Sequence, residues 1–171
     1  MNEAPGRATG LRAALLLALT LAVPSRALAQ AAASPAPPEA LKVGDTLRPF
    51  DAEGLDGISK HVDYKGTTTV LLFFLSGCPH CHKMIPEWNS AFERRPKGLN
   101  VVGVLLDKEP PGFFMATPIS FPVVRAPSSD FARQYKIKQV PLAARVAAGG
   151  VVAEIIQGET DPIRLGELFR P

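Results

Sequence analysis

The stretch TTTVLLFFLSG, from Thr67 to Gly77, constrains the fold more than any other part of the chain. It opens with β-branched residues and then runs continuously apolar, which is the pattern of a central strand buried on both faces. Such a strand needs a covering layer above and below it. Immediately after it the period changes. From Pro79 to about Arg95, Met84, Ile85, Trp88 and Phe92 recur at three- and four-residue intervals, the spacing of one helical face. Trp88 fits that apolar stripe and reads as core, and Pro86 should kink the helix.

The remaining segments extend the same alternation. LNVVGVLLD (Leu99–Asp107) reads as a second buried strand, and SSDFARQYKI (Ser128–Ile137) as a short helix that opens on an N-cap candidate. PLAARVAAGGVVAEIIQG (Pro141–Gly158) predicts two strands joined across Gly149-Gly150. DPIRLGELFR (Asp161–Arg170) predicts a closing helix with Pro at its first position and an apolar stripe of Ile163, Leu165, Leu168 and Phe169. Ahead of these, TLRPFDAEG (Thr46–Gly54) begins with alternating apolar side chains and ends in turn residues, so a short strand followed by a loop is expected. The order βαβα then ββα predicts an α/β chain: a mixed sheet with helices on both faces. No internal repeat is present.

The first 29 residues have a different character. Arg7 and Arg12 precede AALLLALTLAV, an apolar run of 11 residues from Ala13 to Val23. Pro24-Ser25-Arg26 breaks that run, and Ala27-Leu28-Ala29 supplies small residues two apart. This is the pattern of a cleaved signal peptide over residues 1–29. A membrane-spanning helix needs roughly 20 apolar residues, so an uncleaved N-terminal anchor is the lesser reading. Residues 30–40, QAAASPAPPEA, are Ala/Pro-rich and read as a flexible or extended tether, which leaves a folded domain over 41–171. Removing the leader also takes Arg7, Arg12, Arg26 and Glu3, leaving 16 basic and 15 acidic residues. No Lys/Arg run remains that would neutralise a row of phosphates, so nucleic acid is excluded as a partner.

Cys78 and Cys81 are the chain's only cysteines, and they stand where the buried strand hands over to the helix. Cys78 falls at the N-cap, Pro79 in the first turn where its missing N–H does no harm, and Cys81 one turn in. Unpaired backbone N–H groups and the helix dipole there favour a thiolate at Cys78. Only a thiolate attacks a disulfide, so position makes Cys78 a candidate nucleophile and Cys81 the thiol that resolves the mixed disulfide. His80, between them, is expected to donate to the Cys78 sulfur or neutralise it, which would make the disulfide more oxidising. The competing readings are a structural staple and a structural zinc site. Loop closure stabilises least for so short a loop. Zinc needs four ligands, and beyond the cysteines only His61, His80 and His82 are available. His82 itself reads as solvated.

These features together resemble the thioredoxin superfamily over nearly all of the chain after the leader. CPHCHKMIP puts Pro86 five residues after the second cysteine, and QVP puts Val140-Pro141 59 residues beyond Cys81, just before a strand. The resemblance implies a thioredoxin-like fold with extra N-terminal strands and a cis Pro141 facing Cys78 and Cys81. It also implies that Gly77 and the Val140 backbone help to dock a substrate peptide. LKVGDTLRPFDAEG and GTTTVLLFFLSGC are similar to the exported TlpA/ResA-like branch, whereas Pro79-His80 and Val140 are similar to DsbA-type oxidants. DsbA's helical insertion has no room before Pro141. Two departures stand out: Gly77 replaces the usual Trp before the first cysteine, and Leu72 replaces a buried carboxylate six residues before it.

The expected function is therefore thiol–disulfide exchange with cysteines of other exported proteins, in the bacterial periplasm, with Cys78 and Cys81 as the redox couple. No bound cofactor and no metal are called for. A membrane redox partner would be needed if the protein reduces its substrates, as in cytochrome c assembly, because such compartments are oxidising. A thiol peroxidase would need Thr three residues before the reactive cysteine, where Leu75 stands. A copper carrier of this fold would use CxxxC and a later His, and no His follows His82.

Overall fold

The computed structural model describes residues 39–170. The expected leader, and the tether up to residue 38, lie outside the described residues. Elements run in the order β1 (Phe50–Gly54), β2 (Ser59–Val62), β3 (Thr69–Phe74), α1 (Pro79–Glu93), β4 (Asn100–Leu105) and α2 (Phe113–Ala116). They continue with β5 (Val123–Arg125), α3 (Phe131–Gln134), β6 (Leu142–Val146), β7 (Val152–Gln157) and α4 (Pro162–Leu168). The strands form one seven-stranded mixed sheet in the order β2-β1-β5-β4-β3-β6-β7. β3 pairs parallel with β4 and antiparallel with β6, with Leu72 opposite Gly103 on one side and Ala143 on the other.

All six residues of β3 are buried, and they divide by parity as a strand's side chains must. Val70, Leu72 and Phe74 enter a core with Met84, Ile85 and Trp88 of α1 and Leu165 and Leu168 of α4. Leu71 and Phe73 enter a second core with Phe131, Tyr135 and the N-terminal segment at Leu41, Leu47 and Phe50. The helices thus lie on both faces, as the continuous apolar run requires. In the first core Trp88 meets Phe74 and Phe121 edge-on, each at 6.3 Å between ring centroids. Phe121 fits there because β4 carries Gly103 opposite it: a Cβ at that position would stand 2.6 Å from the Phe121 ring.

Several expectations need adjustment. The N-terminal strand is Phe50–Gly54, the second half of the predicted segment, because Gly54 turns the chain back to pair Asp51 with His61 and Glu53 with Ser59. Thr46 makes only an isolated bridge to Val151. The helix expected from Ser128 begins at Phe131, with Asp130 at the N-cap and no side-chain cap bond. Ile163 is 80% exposed and leaves the stripe of α4, whose buried face is Leu165, Leu168 and Phe169. Among the described residues no helix is long and apolar enough to cross a membrane.

Candidate active site

Strand direction gathers the site. β4 runs with β3, β6 runs against it, and β7 runs against β6, so β7 also points the same way as β3. The ends of β3, β4 and β7 and the start of β6 therefore share one edge of the sheet. Four segments arrive there: the loop Leu75–Cys78, Asp107, Glu159, and Val140-Pro141. The end of a strand in an α/β sheet is where ligands are usually handled.

Cys78 is the N-cap of α1, in extended conformation, and its sulfur accepts the Cys81 N–H at 3.3 Å. Pro79 follows as the first helical residue. The Cys78 side chain is half-buried, whereas Cys81 is fully buried among Leu72, Met84 and Ile85, and both are free thiols. Burial, reinforced by the adjacent Cys78 sulfur, pushes the Cys81 thiol up to about 12. The Val140–Pro141 bond is cis, and the Val140 carbonyl stands 3.9 Å from the Cys78 sulfur, within reach of its S–H. Pro141 is buried, and its carbonyl accepts the Gly158 N–H at 2.8 Å, tying the start of β6 to the end of β7. Gly77 is exposed with open space where a side chain would point, so position 77 puts no side chain over Cys78, where thioredoxins have Trp.

The histidines are where the structure departs most from expectation. His80 does not hydrogen-bond Cys78. Its Nδ1 donates to Glu159 Oε1 at 2.5 Å, and the same oxygen accepts from Lys83 Nζ at 3.1 Å. His82 is exposed, as its solvated reading expects, yet it is not without a partner: it donates Nε2–H to the Ser76 carbonyl at 2.7 Å and lies edge-on to Phe113. Because the two rings are engaged by different partners, they do not converge on a metal with the thiols. Among the described residues no three His, Cys, Asp or Glu side chains are grouped to hold an ion.

Four participants are absent from the sequence reading: Ser76, Lys83, Asp107 and Glu159. Asp107 accepts from both the backbone N–H and the hydroxyl of Ser76, each at 2.8 Å, and so anchors the loop that presents Cys78. The available signal was positional. Asp107 and Glu159 each stand two residues past the end of a strand, β4 and β7, that runs parallel to β3.

A buried strand that delivers a two-thiol helix N-terminus to a cis-proline defines a thioredoxin-like protein. The chain belongs to the AhpC/TSA family, which it matches over residues 43–155. It is 27% identical over 99 residues to the sporulation thiol-disulfide oxidoreductase A of Bacillus subtilis (strain 168). That match covers 54% of this chain and 60% of the relative, less than two thirds of the relative's length. The fold superposes on StoA from Bacillus subtilis with a TM-score of 0.63 at 23% identity, covering 71% of this chain and 96% of StoA. It superposes on dsbF of MTB, solved in mixed oxidised and reduced forms, with a TM-score of 0.62 at 26% identity, covering 70% and 92% respectively.

Proposed function

We propose that the protein is a thiol–disulfide oxidoreductase whose Cys78–Cys81 couple exchanges with cysteines of other exported proteins. The observation that carries this is the asymmetry of the two thiols: Cys78 is reachable at a helix N-cap, and Cys81 is buried beneath it with its N–H on the Cys78 sulfur. In the reducing direction the Cys78 thiolate attacks a substrate disulfide, forms a mixed disulfide and releases one substrate thiolate. Cys81 then loses its proton and attacks the Cys78 sulfur, releasing the second substrate thiolate and closing the Cys78–Cys81 bond. The substrate gains the two electrons that the couple loses, and the oxidising direction is the reverse. The Val140 carbonyl beside Cys78 supports docking of an extended substrate segment along the chain before Pro141. Export is supported by the leader-like residues 1–29, with 30–40 as tether, and a reductant would draw its electrons from a membrane redox partner.

The test is exchange with a protein disulfide. The wild-type chain should reduce insulin in the presence of dithiothreitol, or its disulfide form should oxidise the thiols of a reduced, unfolded protein. Cys78→Ser should abolish both, and Cys81→Ser should accumulate a mixed disulfide through Cys78. No exchange in either direction, or activity retained by Cys78→Ser, would sink the reading. The reduction potential in glutathione buffers then sets the direction. A value near ~−120 mV marks a disulfide donor and one near ~−270 mV a reductant.

A further inference from the structure

His80 sits between the two thiols in sequence, yet its ring is turned to a carboxylate supplied 79 residues later. A carboxylate only accepts, so Nδ1 carries the proton and gives it to Glu159. Glu159 is not an isolated side chain. It follows Gly158, whose N–H is bonded to Pro141, and its Oε1 also holds Lys83, two residues beyond Cys81 on α1. The hydrogen bonds from His80 and then Lys83 hold the Glu159 carboxyl below the usual carboxylate range.

We propose that Glu159 is a positioning residue for the redox couple: by engaging His80 it withholds a hydrogen-bond donor from the Cys78 sulfur, and so makes the Cys78–Cys81 disulfide less oxidising. The proposal rests on the reading of this chain as a thiol–disulfide oxidoreductase. When two glutathione thiols reduce the Cys78–Cys81 bond, glutathione disulfide forms and each cysteine receives one of the two electrons. Two protons are released from glutathione; one stays on buried Cys81, and the other leaves when Cys78 remains a thiolate. A donor beside Cys78 stabilises only that reduced, charged product, because the disulfide has no charge to neutralise. Removing the donor therefore shifts the equilibrium toward the disulfide.

The experiment is a two-residue cycle of Glu159→Ala and His80→Ala, read as the glutathione equilibrium constant of the full chain. Glu159→Ala should favour the dithiol by about tenfold, roughly 30 mV for a two-electron couple. His80→Ala alone should shift the constant by less than about threefold, since the ring is already withheld. In the His80→Ala background, Glu159→Ala should have no further effect. An unchanged constant in Glu159→Ala would overturn the proposal. So would an equal shift with and without His80, which would assign the effect to freed Lys83 or to the lost carboxylate charge alone. Because the readout uses glutathione, failure of the chain to exchange with protein substrates in either direction would sink the proposed function and leave this result standing.

Discussion

On one side of the first turn of α1, Ser76 is held through its N–H, hydroxyl and carbonyl by Asp107 and His82, and His82 leans on buried Phe113. On the other side His80, Glu159 and Lys83 pair with one another at the surface. The first set is part-buried and grips backbone atoms. The second is exposed and joins side chain to side chain. Part-buried hydrogen bonds to a charged group are costly to break, whereas exposed ion pairs contribute little to stability. The first side fixes where Cys78 stands, and the second holds a hydrogen-bond donor away from its sulfur. Position and poise are thereby separated, and a change on the exposed side alters chemistry without loosening the fold.

The largest effect that would sharpen this contrast is between the thiols themselves. With Cys81 pushed up to about 12, its thiolate fraction at pH 8 is only about 10⁻⁴. Brief alkylation of the reduced protein followed by peptide sequencing should place the label on Cys78 with a preference of at least about 100-fold. Equal labelling would erase the distinction between an accessible and a sheltered cysteine.

Asp107→Ala comes next. It strands the buried Ser76 N–H and should lower stability by about 2–3 kcal/mol in urea unfolding, while Glu159→Ala leaves the urea midpoint nearly unchanged. If both variants lost the same stability, the division of labour would be wrong.

A third check uses pH. The Cys81 thiol is raised in the folded, reduced protein from about 9 to about 12, so its folded form keeps a proton that the unfolded chain gives up. This contribution is fully present below pH ~9 and is lost as pH rises toward ~12, at about 1.4 kcal/mol per pH unit between them. Subtracting the curve of Cys81→Ala isolates it from other groups, and a flat difference would contradict the burial argument. The smallest effect is at His82. His82→Ala removes one hydrogen bond to Ser76 and should cost about 1 kcal/mol while leaving the glutathione equilibrium within about twofold.

What was legible in the sequence follows burial and local period. The β3 run, the α1 stripe and the Gly149-Gly150 hairpin were readable because their residues carry the pattern themselves; both glycines adopt positive φ, 94° and 93°. The tenancy of each cysteine at the helix start was readable for the same reason. Ser59–Val62 was not, because only Val62 is buried and the strand exists by pairing with β1. Val123–Arg125 is too short to show alternation, and Phe113–Ala116 sits among Pro and Gly residues that suggest a loop. Asp107 and Glu159 escaped notice because their roles depend on strand direction, which no local window contains. His80 was misjudged for a related reason: its neighbours in sequence are thiols, but its partner lies on another strand's end.

The distances along the chain have a practical consequence. Cys78 meets Val140 across 62 positions and His80 meets Glu159 across 79, while Cys81 shares its core with residues from Val70 of β3 to Phe169 after α4. A newly made, unstructured chain therefore holds two equivalent sulfhydryls three residues apart, and only the completed tertiary structure tells them apart. The ratio of their alkylation rates is thus a chemical clock for the final stage of maturation, built into the protein and readable without engineering a reporter into it.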